Sequence, residues 1–230
     1  AYFEPIQSND TADWPQGPAV WAESAVVMDL DSGTFLYSKN MDVAKYPASI
    51  TKIMTTLLAL ENSQLTDQVT MTATGVSGVT DGGANISANL DEVFTMEQCL
   101  YAIMVASAND IALQVAEHIG GSVENFVAMM NTRAAQLGCT NTVFTNPTGL
   151  PDENQHTTAH DMALIMKAAT ENPSFSPIAS ANTYTIPATN KTSTPRNLEN
   201  HNALLTEGDY KYEGAIAGKT GHTEAARNTL

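Results

Sequence analysis

The chain has 230 residues, of which 43% are hydrophobic, and a formal net charge of −15 at pH 7. This composition is typical of a folded globular protein rather than a disordered one, and the length allows one or two domains. The acidic excess argues against nucleic acid and anionic membrane surfaces as partners, because both attract Lys and Arg. No apolar run is long enough to span a bilayer, and no signal-peptide pattern is visible. Cys99 and Cys139 predict two free buried thiols, with one disulfide as the alternative.

The predicted elements begin with a β-hairpin. Residues 24–40, SAVVMDLDSGTFLYSKN, form two strand-like runs around a turn at 31–33. An amphipathic helix follows at 50–61. Residues 62–94 are rich in Thr, Gly, Asn and Asp, which predicts loops with short strands.

Helices dominate the middle of the chain. Thr95 and Gln98 form a capping-box pattern at the start of one of them. Three more are predicted at residues 110–120, 123–137 and 158–170, and Ser122 is the expected N-cap of the second. The runs TYTIPA at 183–188 and GAIAGKT at 214–220 are strand-like. This order predicts one compact α+β unit, in which N- and C-terminal strands meet in one antiparallel sheet packed against a helical cluster.

One serine and one lysine stand at helical spacing where the 50–61 helix begins. Ser49 and Lys52 form the only Ser-x-x-Lys pattern in the chain, and residues i and i+3 share a helix face. A serine hydroxyl becomes a nucleophile when a base takes its proton, and a lysine is such a base when burial or a nearby cation lowers its pKa. The structural alternative is a chance match whose lysine extends its ammonium into water.

A second motif, Lys219-Thr220-Gly221, ends the last strand-like run. Glycine there leaves room for a ligand against a strand edge, and the lysine and threonine can bind a carboxylate. Lys219 would also be the second cation that lowers the pKa of Lys52. The similar letters KTS at 191–193 lack the glycine, and we give them no role.

The third motif is ambiguous. Ser-Ala-Asn occurs at residues 87–89, 107–109 and 180–182. Ser107 and Asn109 lie between two apolar helices, where a short connection can point both side chains into a cleft and the amide can grip a peptide bond. Alternatively, the two residues only cap the next helix.

Together, Ser-x-x-Lys, Ser-x-Asn and Lys-Thr-Gly in this order resemble the signature of the penicillin-recognising serine enzymes, which are the D,D-peptidases and serine β-lactamases. The likeness narrows to the low-molecular-mass D-alanyl-D-alanine carboxypeptidases through the segments YPASITKIMTTLLALE, VASANDIALQVAE, LGCTNTVFTNPTGL, HTTAHDMALI and GAIAGKTGHTEAARNTL. It covers about Ala25 to Leu230. It implies the β-lactamase/D,D-peptidase-like fold, with a catalytic domain at 23–230 and an N-terminal extension at 1–22.

The resemblance implies acyl-enzyme chemistry that needs no metal or other cofactor. Ser49 would attack the carbonyl between the two terminal D-alanines of a peptidoglycan stem peptide and release D-alanine. Lys52 would be the general base, and Ser107 would relay a proton toward the leaving amine or toward Lys52. β-Lactam antibiotics, which mimic D-alanyl-D-alanine, would acylate Ser49 and inhibit the enzyme.

The resemblance also assigns the substrate-binding residues. Asn109 would hold the substrate amide. Lys219, Thr220 and Gly221 would line the strand along which the peptide lies. The backbone N–H of His222 would complete an oxyanion hole with that of the nucleophile, and such donors typically contribute a few kcal/mol each to the transition state.

Relatives continue beyond the Lys-Thr-Gly strand, so we expect the catalytic domain to be truncated within its C-terminal strands at Leu230. In relatives an arginine past this point helps to bind the substrate carboxylate. A chain that ended here is therefore expected to be less active than an extended one. We also expect any signal peptide and membrane anchor to lie outside this chain, and the substrate implies an extracytoplasmic location, in the cell envelope or secreted.

Three alternatives stay open at this level. A serine β-lactamase shares the motifs, but one large class needs a glutamate and an asparagine on a loop, and the Glu-Asn pairs at 171–172 and 153–154 lack that context. A non-catalytic penicillin-binding sensor would keep the same site residues. A zinc hydrolase with His156 and His160 as ligands lacks the glutamate that would follow the first histidine.

Overall fold

The computed structural model describes residues 2–8, 13–79 and 83–230. Residues 1 and 9–12 of the predicted N-terminal extension, and 80–82 of the predicted loop region, lie outside it. The described helices are α1 Lys52–Asn62, α2 Ala73–Ser77, α3 Met96–Val105, α4 Asn109–Gly120, α5 Val123–Gln136, α6 Ala159–Glu171 and α7 Phe175–Ala179, with a 3₁₀ turn at Ala48–Thr51 before α1. The described strands are β1 Gln7–Ser8, β2 Ala25–Met28, β3 Phe35–Lys39, β4 Gln68–Thr70, β5 Val93–Thr95, β6 Thr183–Ile186, β7 Arg196–Glu199, β8 Gly221–Thr223 and β9 Arg227–Thr229.

The predicted local elements in the first two thirds of the chain are confirmed. The hairpin at 24–40 is the antiparallel pair β2–β3. Thr95 caps α3 with both capping-box hydrogen bonds to Gln98. Ser122 caps α5 by accepting a hydrogen bond from the Asn125 N–H. These signals work because each is satisfied within a few residues of the chain.

The α+β class is confirmed, but the strands are distributed differently from the prediction. The described residues hold one three-stranded sheet, β1-β3-β2, and three separate hairpins, β4–β5, β6–β7 and β8–β9. Within the described residues, the N-terminal strands and the C-terminal hairpin β8–β9 therefore belong to separate sheets rather than to one. Instead of joining that sheet, β8 lies against the 3₁₀ turn, and the Thr229 hydroxyl donates to the Pro47 carbonyl oxygen at 2.9 Å.

The predicted strand at 214–220 is also wrong. Within the described residues no strand pairs with it, and the β8–β9 ladder begins only at Gly221 and Thr229. A strand requires a partner for its backbone N–H and C=O groups, and apolar composition alone does not supply one. The side chain of Ile216, in the middle of the run, is 60% exposed.

The hydrophobic core lies among α1, α3 and α4, which carry most of the fully buried apolar side chains. Both cysteines are free; Cys99 is buried in this core and Cys139 is half-buried. Burial raises the pKa of both thiols, that of Cys139 to about 12. No helix in the described ranges combines the length and apolar character needed to cross a membrane.

Part of the predicted N-terminal extension lies on the three-stranded sheet. β1 pairs with β3, and the Trp14 indole N–H donates to the Leu36 carbonyl oxygen at 3.0 Å. The Lys39 ammonium donates to the Val20 carbonyl oxygen at 2.8 Å. The domain boundary near residue 22 stays a prediction.

Candidate active site

Ser49 lies in the 3₁₀ turn that leads into α1, rather than in the α-helix itself. Side chains at i and i+3 eclipse in a 3₁₀ turn, so Lys52, the first residue of α1, reaches back toward the serine. Lys52 Nζ lies 3.0 Å from Ser49 Oγ. The sequence-predicted pair is thus in hydrogen-bond contact.

Lys52 is fully buried, and three oxygen atoms surround its nitrogen. Nζ lies 2.6 Å from Asn109 Oδ1 and 2.6 Å from the Thr148 carbonyl oxygen, in addition to its contact with Ser49 Oγ. The amide and carbonyl oxygens can only accept hydrogen bonds, whereas a hydroxyl can also donate. A neutral amine has two N–H groups for the two acceptors, and its lone pair then faces the Ser49 hydroxyl.

The electrostatics favour this neutral form. Burial lowers the pKa of Lys52 well below its ordinary value, and the positive charge of Lys219 lowers it further. Lys219 is itself only 5% exposed, and burial lowers its pKa to about 8. Its ammonium donates to the Thr220 carbonyl oxygen at 2.6 Å. The second cation expected near Lys52 is therefore present.

Asn109 is the first residue of α4, and Ala108 is the N-cap without a side-chain capping bond. The capping alternative for the Ser107–Asn109 motif is therefore wrong, because the Asn109 side chain contacts Lys52 instead. Ser107 is nearly buried and has a left-handed backbone, with φ +57°. Its hydroxyl makes no hydrogen bond to any described residue, so no contact ties it to Ser49.

The Lys-Thr-Gly segment lies beside the nucleophile, although only Gly221 belongs to a strand. A Cβ atom at Gly221 would come within 2.7 Å of the Ser49 backbone nitrogen. The glycine therefore allows β8 to pack directly on the serine turn. The next residue, His222, is exposed, and its ring Nδ1 lies 2.9 Å from Asn228 Oδ1.

The other residues weighed in the sequence take separate surface contacts. His156 Nδ1 lies 3.1 Å from the Asn154 carbonyl oxygen, while His160 Nδ1 lies 2.8 Å from Asp42 Oδ1. Glu171 forms an ion pair with the lysine one turn earlier in α6. None of these contacts of the two histidines and the glutamate involves Ser49 or Lys52.

The family model described as D-alanyl-D-alanine carboxypeptidase, Peptidase_S11, matches residues 11–230. This chain belongs to that family. The resemblance stated from the motifs is confirmed, and with it the chain's place among serine peptidases.

Similar members of the carboxypeptidase family come from several bacteria. D-alanyl-D-alanine carboxypeptidase DacB2 of Mycobacterium tuberculosis is 35% identical over 98% of this chain and 73% of its own length. DacF of Bacillus subtilis is 36% identical over 91% of this chain and 53% of its own length. The chain therefore spans about half the length of some curated relatives that it matches.

Solved structures agree on the fold. A D-alanyl-D-alanine carboxypeptidase from M. tuberculosis H37Rv superposes with a TM-score of 0.81 at 33% identity, covering 96% of this chain and 80% of that one. The Streptomyces K15 DD-transpeptidase superposes with a TM-score of 0.85 at 28% identity, covering 93% of this chain and 85% of that one. The predicted D,D-peptidase-like fold is thereby confirmed.

The loop at residues 146–149 contacts Lys52 and the serine turn, and no sequence motif predicted this contact. The Thr148 carbonyl oxygen contacts Lys52, and the Asn146 side chain accepts hydrogen bonds from the backbone N–H groups of Thr148 and Gly149, at 3.1 and 2.8 Å. Gly149 has φ +85°, and a Cβ there would lie 1.8 Å from the Ala48 carbonyl oxygen. The letters NPTG signal the turn but not its contact with residues almost 100 positions earlier.

Replacement of Gly149 by alanine is expected to lower both stability and activity. The new Cβ adds a clash with the Ala48 backbone to the strain of a left-handed alanine, which alone costs about 1 kcal/mol. Gly138→Ala is the matched control, because Gly138 also has φ +85° but no neighbouring atom within 4 Å of the added Cβ. Urea unfolding and penicillin acylation rates measure the two effects. Equal losses in both variants would show that the clash with the serine turn has no effect.

Proposed function

We propose that this chain is a serine D-alanyl-D-alanine carboxypeptidase that removes the terminal D-alanine from peptidoglycan stem peptides. One observation carries the proposal: a buried lysine of lowered pKa directs its nitrogen at the hydroxyl of Ser49, 3.0 Å away. Family membership supplies the class of reaction. The same serine is then the site at which β-lactams acylate the protein.

In the proposed acylation step, Lys52 Nζ takes the proton of the Ser49 hydroxyl as Oγ attacks the carbonyl carbon of the penultimate D-alanine. The oxyanion that forms accepts hydrogen bonds from the backbone N–H groups of Ser49 and His222. The C–N bond breaks, and the leaving amine of D-alanine takes a proton from Lys52, with the Ser107 hydroxyl as the relay. Water later attacks the ester, which releases the shortened peptide and restores Ser49.

Substrate binding rests on the three residues that surround this centre. Asn109 holds Lys52 through Oδ1, which leaves its NH₂ group available to a substrate carbonyl. Lys219 and Thr220 supply positive charge and a hydroxyl for the anionic peptide end. In a chain of net charge −15, the ammonium of Lys219 gives the site the charge sign that a carboxylate requires.

This function implies a location. Stem peptides lie outside the cytoplasmic membrane, so the enzyme acts in the cell envelope or after secretion. The substrate peptides and β-lactams are its expected partners.

Release of D-alanine from a peptide ending in D-alanyl-D-alanine tests the proposal directly. Repeated turnover, followed by an enzymatic assay for free D-alanine, is the expected result. A protein that forms a penicillin adduct yet releases no D-alanine would be a sensor. Rapid hydrolysis of penicillin without a lasting adduct would instead identify a β-lactamase.

The pH profile of this turnover is expected to fall on its alkaline side near pH 8. Lys219 has a pKa of about 8, so above that pH it loses the charge that attracts the substrate carboxylate, and KM rises. Lys219→Arg keeps its charge at all working pH values and is expected to move the alkaline fall upward. Steady-state kinetics from pH 6 to 10 on both proteins measure this. If the activity of the arginine variant falls at the same pH as that of the wild type, a group other than Lys219 causes the fall.

A further inference from the structure

A groove of about 530 Å³ adjoins the candidate active site. Its walls are residues 84–87, Ala106 and the 196–201 segment that contains β7. Ala106 precedes Ser107, and the Ala84 carbonyl oxygen accepts a hydrogen bond from the Asn109 N–H at 2.8 Å. The groove and the Ser107–Asn109 motif therefore share a wall.

A buried ion pair fixes the two walls relative to each other. The Arg196 guanidinium donates to the Ile86 and Ser87 carbonyl oxygens at 3.0 and 3.3 Å, which ties β7 to the opposite wall. The same guanidinium donates to both carboxylate oxygens of the fully buried Glu92, at 2.8 and 2.9 Å. A bidentate pair of this kind has a defined geometry, so the groove is a built feature of the fold.

From the other side, Asp110 holds the 84–87 wall. Its buried carboxylate accepts hydrogen bonds from the backbone N–H groups of Ile86 and Ala88, at 3.2 Å each. Asp110 directly follows Asn109 in α4. The wall of the groove and the residue that contacts Lys52 are thus anchored on the same helical turn.

One edge of β7 is open in this groove. β7 pairs with β6 so that Asn197 lies opposite Thr185 and Glu199 opposite Thr183. In the same register the Asn200 N–H donates to the Asn182 carbonyl oxygen at 2.8 Å, which makes that pair hydrogen-bonded. Hydrogen-bonded pairs alternate with non-bonded ones in an antiparallel ladder.

Asn197 and Glu199 therefore direct their backbone N–H and C=O groups away from β6. No described residue forms a hydrogen bond with these backbone groups. An unpaired strand edge is a template for an added extended chain. The four-residue strand β7 is about 13 Å long, enough for about four extended residues.

We propose that this groove binds the part of the peptide substrate on the amino side of the scissile bond, as an extended segment hydrogen-bonded to the open edge of β7. The inference rests on the proposed function, since the occupant is the rest of the peptide whose D-alanyl end reaches Ser49. The groove and the active site share a wall, so one continuous peptide can lie in both. We therefore take the substrate peptide as the occupant of the groove. Arg196, Glu92 and Asp110 are positioning residues for this surface.

The test compares a blocked tripeptide, diacetyl-L-Lys-D-Ala-D-Ala, with a pentapeptide that carries two further residues on its amino side. We expect the kcat/KM of the pentapeptide to be about tenfold higher than that of the tripeptide. One or two added backbone hydrogen bonds typically contribute a difference of this size. Asn197→Pro removes the open-edge N–H without breaking the bonds to β6, and it is expected to bring the two peptides to near parity.

Thr185→Pro is the matched control, because it changes the directly opposite residue on the other edge of the same hairpin. Both variants lose the same hydrogen bond between the Thr185 hydroxyl and Asn197 Oδ1. The control is expected to keep the preference for the longer peptide. An equal loss in both variants would overturn the proposal.

A second measurement leaves the protein unchanged. N-methylation of the two added amide groups of the pentapeptide is expected to abolish its advantage on the wild-type chain. Equal kcat/KM for the tripeptide and the unmodified pentapeptide would overturn the groove proposal while leaving the carboxypeptidase function intact. D-alanine release from neither peptide would overturn the proposed function, and the groove proposal with it.

Discussion

Replacement of Ser49 by alanine is expected to abolish D-alanine release and the covalent adduct with benzylpenicillin. The side-chain oxygen is the atom that forms the acyl bond, and no other hydroxyl lies within hydrogen-bond distance of Lys52 among the described residues. Loss of a serine nucleophile typically lowers kcat by about 10⁴-fold or more. Intact mass after incubation with penicillin, together with the D-alanine assay, measures both effects.

Ser180→Ala is the control for this experiment. Ser180 belongs to another copy of the Ser-Ala-Asn motif and is the C-cap of α7, and among the described residues no hydrogen bond joins it to the serine turn. It is expected to keep the adduct and the turnover. A full adduct on Ser49→Ala would show that another residue is acylated, and the assignment of the nucleophile would be wrong.

Replacement of Lys52 by methionine is expected to slow acylation by about 10³-fold or more. Methionine has a similar length but no lone pair on nitrogen, so nothing takes the proton from Ser49. The variant also leaves Asn109 Oδ1 and the Thr148 carbonyl oxygen without their donor, at a cost of about 1–3 kcal/mol each. Rates are therefore measured at a temperature at which circular dichroism shows the variant folded.

Lys39→Met is the matched control, since Lys39 is the other fully buried lysine in the described residues and lies in β3. Its replacement is expected to lower the free energy of unfolding, while acylation by the folded fraction stays near the wild-type rate. If both variants acylate penicillin at the wild-type rate, Lys52 is not the general base.

The sequence predicted the parts of the site that short-range rules control. Ser49 and Lys52 are one turn apart, so their contact follows from helical geometry. The caps at Thr95 and Ser122 were predictable for the same reason. The spacing of Asn109 and Lys219 in the sequence does not place them near Ser49 and Lys52. Their assignment to the same site depended on the family resemblance.

The sequence did not predict contacts between distant segments. The Thr148 carbonyl oxygen that contacts Lys52 belongs to a loop 96 positions later in the chain. Because every residue has a backbone carbonyl group, the sequence does not show which of them makes this contact. The strand predicted at 214–220 is wrong because a strand needs a partner for its backbone groups, and the apolar letters of this run do not show whether one exists. Arg196 and Glu92, which are 104 positions apart, likewise became a pair only in the fold.

The proposed role of Lys52 as the base requires its neutral form, and the pH dependence of penicillin acylation measures how much of that form is present. The rate of adduct formation on the Ser49-containing peptide, followed by mass spectrometry from pH 5 to 8, reports how readily the serine loses its proton. We predict that the rate falls as the pH is lowered, because protonation of Lys52 removes the lone pair that faces the hydroxyl. A rate that stays constant from pH 5 to 8, with the protein folded throughout, would show that Lys52 does not take the proton of Ser49.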